Sequence, residues 1–338
     1  MRTTARMARI TVFIPTYNRS GWLPGAIGSV LAQTWPDFRL IVSDNASTDE
    51  TPKVVAQFDD PRLSYARLEE HIDLFEHFNL CFERATTEYV FTLPDDDRMA
   101  PDLLERTVAG LDRNPRAAIA HGQANLVGGD GRLIAERHGM TGRSADAIER
   151  GEDFIRLSMG TSHRVHSSTA LIRSEAVATT RMDGRDAPIT DLGHWLRVAL
   201  NWDMAFIAHP LVTSHIHAGA ETAGVADASG NGYLKTVEGL LKCQEVKVRF
   251  IEENFDRLED ASELLRRAQE GLRKDLLIAA GHATLPDRRL TATASTLLNL
   301  VRLDRRFLLE PGSWRLLVGS LLGRRAASFV AGLLGRAS

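Results

Sequence analysis

Three consecutive carboxylates, Asp95, Asp96 and Asp97, follow the strand-like run Tyr89-Val90-Phe91-Thr92-Leu93 and a proline, Pro94. Adjacent acids at a strand end repel one another, so the arrangement is costly unless a cation or a proton neutralises it. Hard divalent cations such as Mg²⁺ or Mn²⁺ prefer carboxylate oxygens and share them readily with substrate phosphates. The triplet therefore predicts a metal-assisted site for a phosphorylated substrate; an acidic, solvated turn is the plain alternative. Two more strand ends carry polar residues. Pro15-Thr16-Tyr17-Asn18-Arg19 follows the apolar run at 10–14, and Asp44-Asn45 follows the run at 39–43.

The elements that must position these residues alternate regularly. Strand patterns at 10–14, 39–43, 63–67, 89–93 and 117–121 are separated by helical patterns at 22–33, 52–58, 74–84 and 101–113. Such alternation predicts an α/β fold with a mostly parallel sheet flanked by helices. Ligands of such sheets bind beyond the carboxyl ends of the strands, where all three polar segments lie. Gly128-Gly129-Asp130-Gly131 reads as a hairpin turn, 151–159 as a short helix and 167–172 as a strand. An amphipathic helix at 191–200 and strands at 204–207 and 211–216 follow. Residues 218–232 read as a Gly/Ala/Ser-rich linker, and 233–254, 261–281 and 288–301 as helices of a C-terminal α-helical extension spanning 233–338. Residues 302–338 carry seven arginines against two acids among leucines and aromatics. That pattern suits peripheral contact with an anionic membrane surface, or a helix packed on protein with its arginines in water.

Composition sets wider bounds. The chain has 338 residues, 43% hydrophobic and 25% charged, with a formal net charge of -3. This is a globular profile with no basic excess for nucleic acid. The two cysteines, Cys81 and Cys243, fit reduced core thiols better than a disulfide framework. No run approaches the ~20 apolar residues of a spanning helix, and the basic start lacks a signal-peptide core. The expected compartment is the cytoplasm, with the inner face of the membrane as the place of any peripheral contact.

In order along the chain, several motifs resemble the family 2 glycosyltransferases, the inverting group with the GT-A fold. They are Ile14-Pro15-Thr16-Tyr17-Asn18-Arg19, Ser29-Val30-Leu31-Ala32-Gln33-Thr34, Asp44-Asn45-Ala46-Ser47-Thr48-Asp49, Ala85-Thr86-Thr87-Glu88-Tyr89-Val90 leading into the acid triplet, and Asp191-Leu192-Gly193-His194-Trp195-Leu196-Arg197. The similarity spans about residues 8–217, which the resemblance makes a nucleotide-sugar-binding and catalytic domain. It implies a GT-A type, Rossmann-like sheet and transfer of a sugar from a nucleoside-diphosphate donor to a glycan or lipid-linked acceptor. Pro15, Thr16, Tyr17, Arg19, Asp44, Asn45, Asp95 and Asp96 would bind the nucleotide-sugar. Asp97 and His217 would hold Mg²⁺ or Mn²⁺, and Asp191 would act as general base. Asn45 stands where many relatives have aspartate. An amide both donates and accepts, so UDP is the first expectation and dTDP, CDP or GDP donors stay open.

Other readings compete. Asp191 could merely favour a helix N-terminus, and Asp49 reads as a turn-stabilising residue. A sugar nucleotidyltransferase would usually carry a glycine-rich phosphate loop after the first strand, where Pro-Thr-Tyr-Asn-Arg stands instead. No GxGxxG follows that strand, which counts against a dinucleotide-dependent oxidoreductase. A catalytically degenerate sugar-nucleotide binder would fit the fold but has no need of both Asp97 and Asp191. Oligomeric state leaves no trace in the sequence.

Overall fold

The structure is a computed structural model that describes residues 8–138, 143–161, 165–217 and 237–283. The expected linker at 218–232, the helix at 288–301 and the basic segment at 302–338 lie outside the described residues. The chain divides into two compact units, 1–158 with 163–224, and 159–162 with 225–338.

The first unit is built on one sheet. Its strands are β1 (Ile10–Thr16), β2 (Phe38–Asp44), β3 (Leu63–Arg67), β4 (Tyr89–Thr92), β5 (Arg98–Met99), β6 (Ala117–Gly128), β7 (Leu133–His138), β8 (Ala147–Glu149), β9 (Leu171–Arg173) and β10 (Asp203–Ile216). The helices are α1 (Leu23–Leu31), α2 (Thr51–Val55), α3 (Leu74–Glu83), α4 (Leu103–Arg113), α5 (Gly151–Met159), α6 (Ser174–Val177) and α7 (Thr190–Ala199). The main path runs β3-β2-β1-β4-β9-β6-β10-β5, with β7 on β6 and β8 on β10. From β3 to β4 all pairings are parallel. β9 then runs antiparallel to both β4 and β6, so the sheet is mixed beyond β4.

β1 is buried along its whole length, as a central parallel strand covered on both faces must be. Ile10, Val12 and Ile14 join Leu23, Ile27 and Val30 of α1 and Leu104, Val108 and Leu111 of α4 in one apolar core. Fully burying each such side chain contributes about 1.5–3 kcal/mol, which must offset the entropy of ordering the chain. The strand starts are tied by a charge network: Arg9 meets Glu88 at 2.7 Å and Asp112 at 2.7 Å. The opposite ends are thereby left for the polar segments.

β10 is a single strand where the sequence suggests two. Pro210 lies at a register shift in its pairing with β6, a bulge where a missing backbone N–H is tolerated. Ser167–Thr169 forms a 3-10 turn rather than the start of a strand.

The second unit contains α8 (Val237–Glu253) and α9 (Ala261–Ala283). Leu240, Val246, Phe250 and Ile251 are buried on α8, and Leu264, Ala268 and Leu276 on α9, at helical spacing. Lys247 is buried too, and its ammonium donates to the carbonyls of Met159 (3.2 Å) and Thr161 (2.7 Å). Among the described residues no helix is long and apolar enough to cross a membrane.

Candidate active site

The ends of β1 and β2 are laced together by backbone and side chains. Asn45 N–H donates to Thr16 O at 2.9 Å, and Asn18 N–H to Ser47 Oγ at 2.9 Å. Asn18, with φ of 53°, accepts from Thr48 N–H at 2.7 Å. Asp44 is fully buried; it accepts from Ser47 N–H at 2.8 Å and from the Tyr65 hydroxyl. Pro15 sits buried within β1 opposite Ser43. Asp49 accepts from Thr51 and Ser20; burial pushes its carboxyl up, but these donors prevail and hold it at about 2. Its role is therefore the turn-stabilising one.

Asn45 does something the sequence did not disclose. Its Oδ1 accepts from Ile72 N–H at 2.9 Å and its Nδ2 donates to Ile72 O at 2.8 Å. The amide thus clamps the loop between β3 and α3, whose His71 ring lies 4.1 Å from that of Tyr17. Tyr17 is 42% exposed, an aromatic face open to a ligand beyond a strand end.

The acid triplet splits by burial. Asp95 and Asp97 are 7% and 3% exposed, and burial pushes each carboxyl up to about 7. Asp95 accepts from the Thr16 hydroxyl at 2.7 Å, joining the triplet to the end of β1. Asp97 accepts from His215 N–H at 3.1 Å, and the nearby Ser168 and Ser214 hydroxyls partly offset the effect of burial. β5 makes this possible: Met99 and Arg98 pair antiparallel with Val212 and Thr213, which brings the triplet beside the end of β10. Asp96 lies between and meets two cationic or potentially cationic groups on one oxygen. Arg19 Nη1 is 3.2 Å from its Oδ2, and His217 Nε2 is 3.1 Å away.

His217 thus reaches Asp96, the middle acid of the triplet. Trp22 stacks on the His217 ring at 4.4 Å and 16°. The Trp22 carbonyl accepts from Arg98 Nη2 at 3.1 Å, and Arg98 Nη1 donates to Asp97 O. Arg98 crosses α1 at Gly25, where an added Cβ would meet its guanidinium and displace it.

Among the described residues no three His, Cys, Asp or Glu side chains form a closed metal cage. Mg²⁺ and its analogues rarely use one; they take one or two carboxylates and complete their shell with phosphate oxygens and water. The donors here, an Asp96 carboxylate meeting an imidazole in front of a buried Asp97, suit that open kind of site. The buried carboxyls beside Asp96 are also an excess of negative charge that a cation would relieve.

Asp191 lies in the first turn of α7. Its Oδ1 accepts from Leu192 N–H at 2.8 Å, and its Oδ2 from the Ser167 hydroxyl at 2.7 Å. The loop before α7 is fixed by Asn79 of α3, whose side chain bonds both Met182 N–H (2.8 Å) and Met182 O (3.0 Å). Asp186 in that loop is buried and meets Arg197 at 3.2 Å. Ser167 thus ties Asp191 to the 3-10 turn Ser167–Thr169. The sequence reading missed this turn, although three consecutive hydroxyls, Ser167-Ser168-Thr169, are a visible signal for it.

A parallel half-sheet with polar strand ends, an acid triplet and a second carboxylate on a later helix defines an α/β fold of the GT-A glycosyltransferase type. The chain matches residues 1–349 of S. aureus TarS with a TM-score of 0.60 at 15% identity, covering 98% of this chain and 92% of that one. The same TarS segment in complex with UDP-GlcNAc matches with a TM-score of 0.54 at 15% identity, over 89% of this chain and 92% of that one. Residues 11–179 match the profile of Glycosyl transferase family 2, and the chain belongs to that family. It is 32% identical over 153 residues to the GalNAc(5)-diNAcBac-PP-undecaprenol beta-1,3-glucosyltransferase of Campylobacter jejuni, 44% of this chain and 48% of that protein. It is 31% identical over 125 residues to the succinoglycan biosynthesis protein ExoO of Rhizobium meliloti, 37% of this chain and 36% of that protein. The chain thus spans about half, or less, of the length of the curated relatives it matches.

Proposed function

We propose that the chain is a metal-dependent, inverting glycosyltransferase that moves a sugar from a nucleoside-diphosphate sugar to a hydroxyl of a glycan or lipid-linked acceptor. The observation that carries this reading is the meeting of Arg19 and His217 on one oxygen of Asp96, beside the buried Asp97. A cluster of this kind suits a cation and a diphosphate, and Asp191 in the first turn of α7 is the further carboxylate that the reading takes as base. The names of the C. jejuni and R. meliloti relatives favour a glycan or lipid-linked acceptor, and the TarS complex favours a nucleotide-sugar donor.

In this reading residues 8–217 form the catalytic domain. The exposed face of Tyr17 takes the nucleobase, with Pro15, Thr16, Asp44 and Asp95 framing the nucleoside. Asn45 contributes by holding the loop that presents His71. Arg19 and Asp96 face the diphosphate, and Asp96, Asp97 and His217 would hold Mg²⁺ or Mn²⁺. Such an ion, when bound, supplies Lewis-acid stabilisation of the departing diphosphate. Asp191 takes the proton of the acceptor hydroxyl as it attacks, a role that typically contributes ~10²–10⁴-fold. Attack opposite the leaving group inverts the anomeric centre and needs no nucleophilic carboxylate, unlike a retaining glycosidase. An acceptor of this class is made at the cytoplasmic face of a membrane, where the arginines of 302–338 would give peripheral contact.

Thermal shift with UDP, dTDP, CDP and GDP, each with and without Mn²⁺, tests donor class and metal dependence, because a ligand of the folded state raises its melting temperature. Asp191→Asn is expected to keep that shift and to lower turnover by at least ~10². Normal turnover of Asp191→Asn would remove Asp191 from the base role.

A further inference from the structure

We infer that Ser167 is a positioning residue for the transfer reaction: its hydroxyl fixes the Asp191 carboxylate in the orientation from which it takes the acceptor's proton. The inference rests on the reading of Asp191 as the base and adds to it the residue that aims it. Of the two hydrogen bonds to the carboxylate, one comes from Leu192, which moves with α7 itself. The other, from Ser167 at 2.7 Å, is among the described residues its only hydrogen bond from outside that helix. Hydrogen bonds to a carboxylate are short and strong, so this one sets the plane of the carboxyl group.

The turn that carries Ser167 is itself held firmly. Thr169 is fully buried, and its hydroxyl donates to His166 O at 2.7 Å, closing the turn. Gly122 N–H of β6 donates to the Thr169 hydroxyl oxygen at 3.1 Å. β6 passes so close to β10 here that a Cβ on Gly122 would lie 2.8 Å from Ile207 O and 2.9 Å from His209 O. Any side chain would push the two strands apart. β10 is also the strand that delivers His215 and His217 to the acid triplet. Ser168, the next residue, is buried, and its hydroxyl partly offsets the effect of burial on the Asp97 carboxyl. The turn that aims Asp191 is thus held by β6, the neighbour of β10 in the sheet. A displacement of about 1 Å in such an arrangement can cost up to ~10²-fold in rate.

The experiment uses the full chain with Mn²⁺, UDP-GlcNAc or GDP-mannose as donor, and water as acceptor. Water replaces the acceptor alcohol: its oxygen bonds the anomeric carbon, the bond to the diphosphate oxygen breaks, and one proton passes to Asp191. Ser167→Ala is expected to lower kcat about tenfold with donor KM unchanged, and Ser167→Thr, which keeps the hydroxyl, to restore kcat to within about threefold of wild type. A Ser167→Ala kcat within twofold of wild type, beside an Asp191→Asn variant that has lost turnover, overturns the positioning role and leaves the base reading intact. Full turnover of Asp191→Asn overturns both. The crystal structure of Ser167→Ala decides independently of turnover: the Asp191 carboxylate is expected to rotate away from its wild-type orientation, and an unchanged orientation refutes the inference.

Discussion

The two polar edges of the sheet are built on opposite principles. At the ends of β1 and β2, polar groups are spent on one another: Asn45 on Ile72, Asp44 on Ser47 and Tyr65, Asn18 on Ser47 and Thr48. At the ends of β4 and β10, two buried carboxyls are pushed up to about 7 and the carboxylate between them shares one oxygen with Arg19 and His217. The first edge is internally satisfied and shapes a loop. The second stores unfavourable charge, as sites built to meet a ligand commonly do. Residues of the same types at equivalent strand ends therefore have opposite effects on stability.

Substitution tests this contrast by sign. Asn45→Ala removes two hydrogen bonds to one backbone residue and is expected to destabilise the fold by about 2–3 kcal/mol. Denaturant midpoints would show it, and a loss under about 0.5 kcal/mol would mean the clamp is not structural. Asp97→Asn is a near-isosteric change at the other edge. It removes a buried charge beside Asp96 while keeping an acceptor for His215 N–H, so it is expected to stabilise the metal-free protein by about 1–2 kcal/mol. It should also weaken the Mn²⁺-dependent thermal shift. Destabilisation by Asp97→Asn would erase the distinction between the edges.

Much of the strand-end cluster was legible in sequence because it depends on element alternation. Alternating elements place Thr16, Asp44 and Asp95 at neighbouring carboxyl termini, and the structure joins Thr16 to Asp95 directly. What stayed hidden was partner choice. Asn45 holds Ile72 of the loop between β3 and α3, a partner 27 residues away that no local pattern announces. Three adjacent aspartates do not say which one faces His217; the turn closed by Asp97 N–H on Pro94 O does, with Asp95 and Asp97 buried and Asp96 between them. Ser167–Thr169 looked extended because β-propensity cannot foresee a hydroxyl that bonds its own backbone. Pro210 looked like a strand break and is a bulge.

The smallest effect concerns His77, which lies behind the satisfied edge and bonds Ser43 at 2.8 Å. Burial lowers its pKa from 6.5 to about 4. Between those values the unfolded chain binds a proton that the folded chain does not, so the contribution of neutral His77 is intact above pH 6.5 and is lost as pH falls toward 4. From pH 7 to pH 5.5 this one residue should remove about 1 kcal/mol of stability. The raised carboxyls of Asp95 and Asp97 act in the reverse sense over the same range, since protonation relieves them in the folded state. Wild-type stability alone therefore mixes opposed contributions, and the test must compare wild type with His77→Gln at each pH. The difference between the two is expected to narrow by about 1 kcal/mol on acidification. A constant difference would mean that His77 is as readily protonated in the folded chain as in the unfolded one, and that the edge of β2 is less dry than its hydrogen bonds suggest.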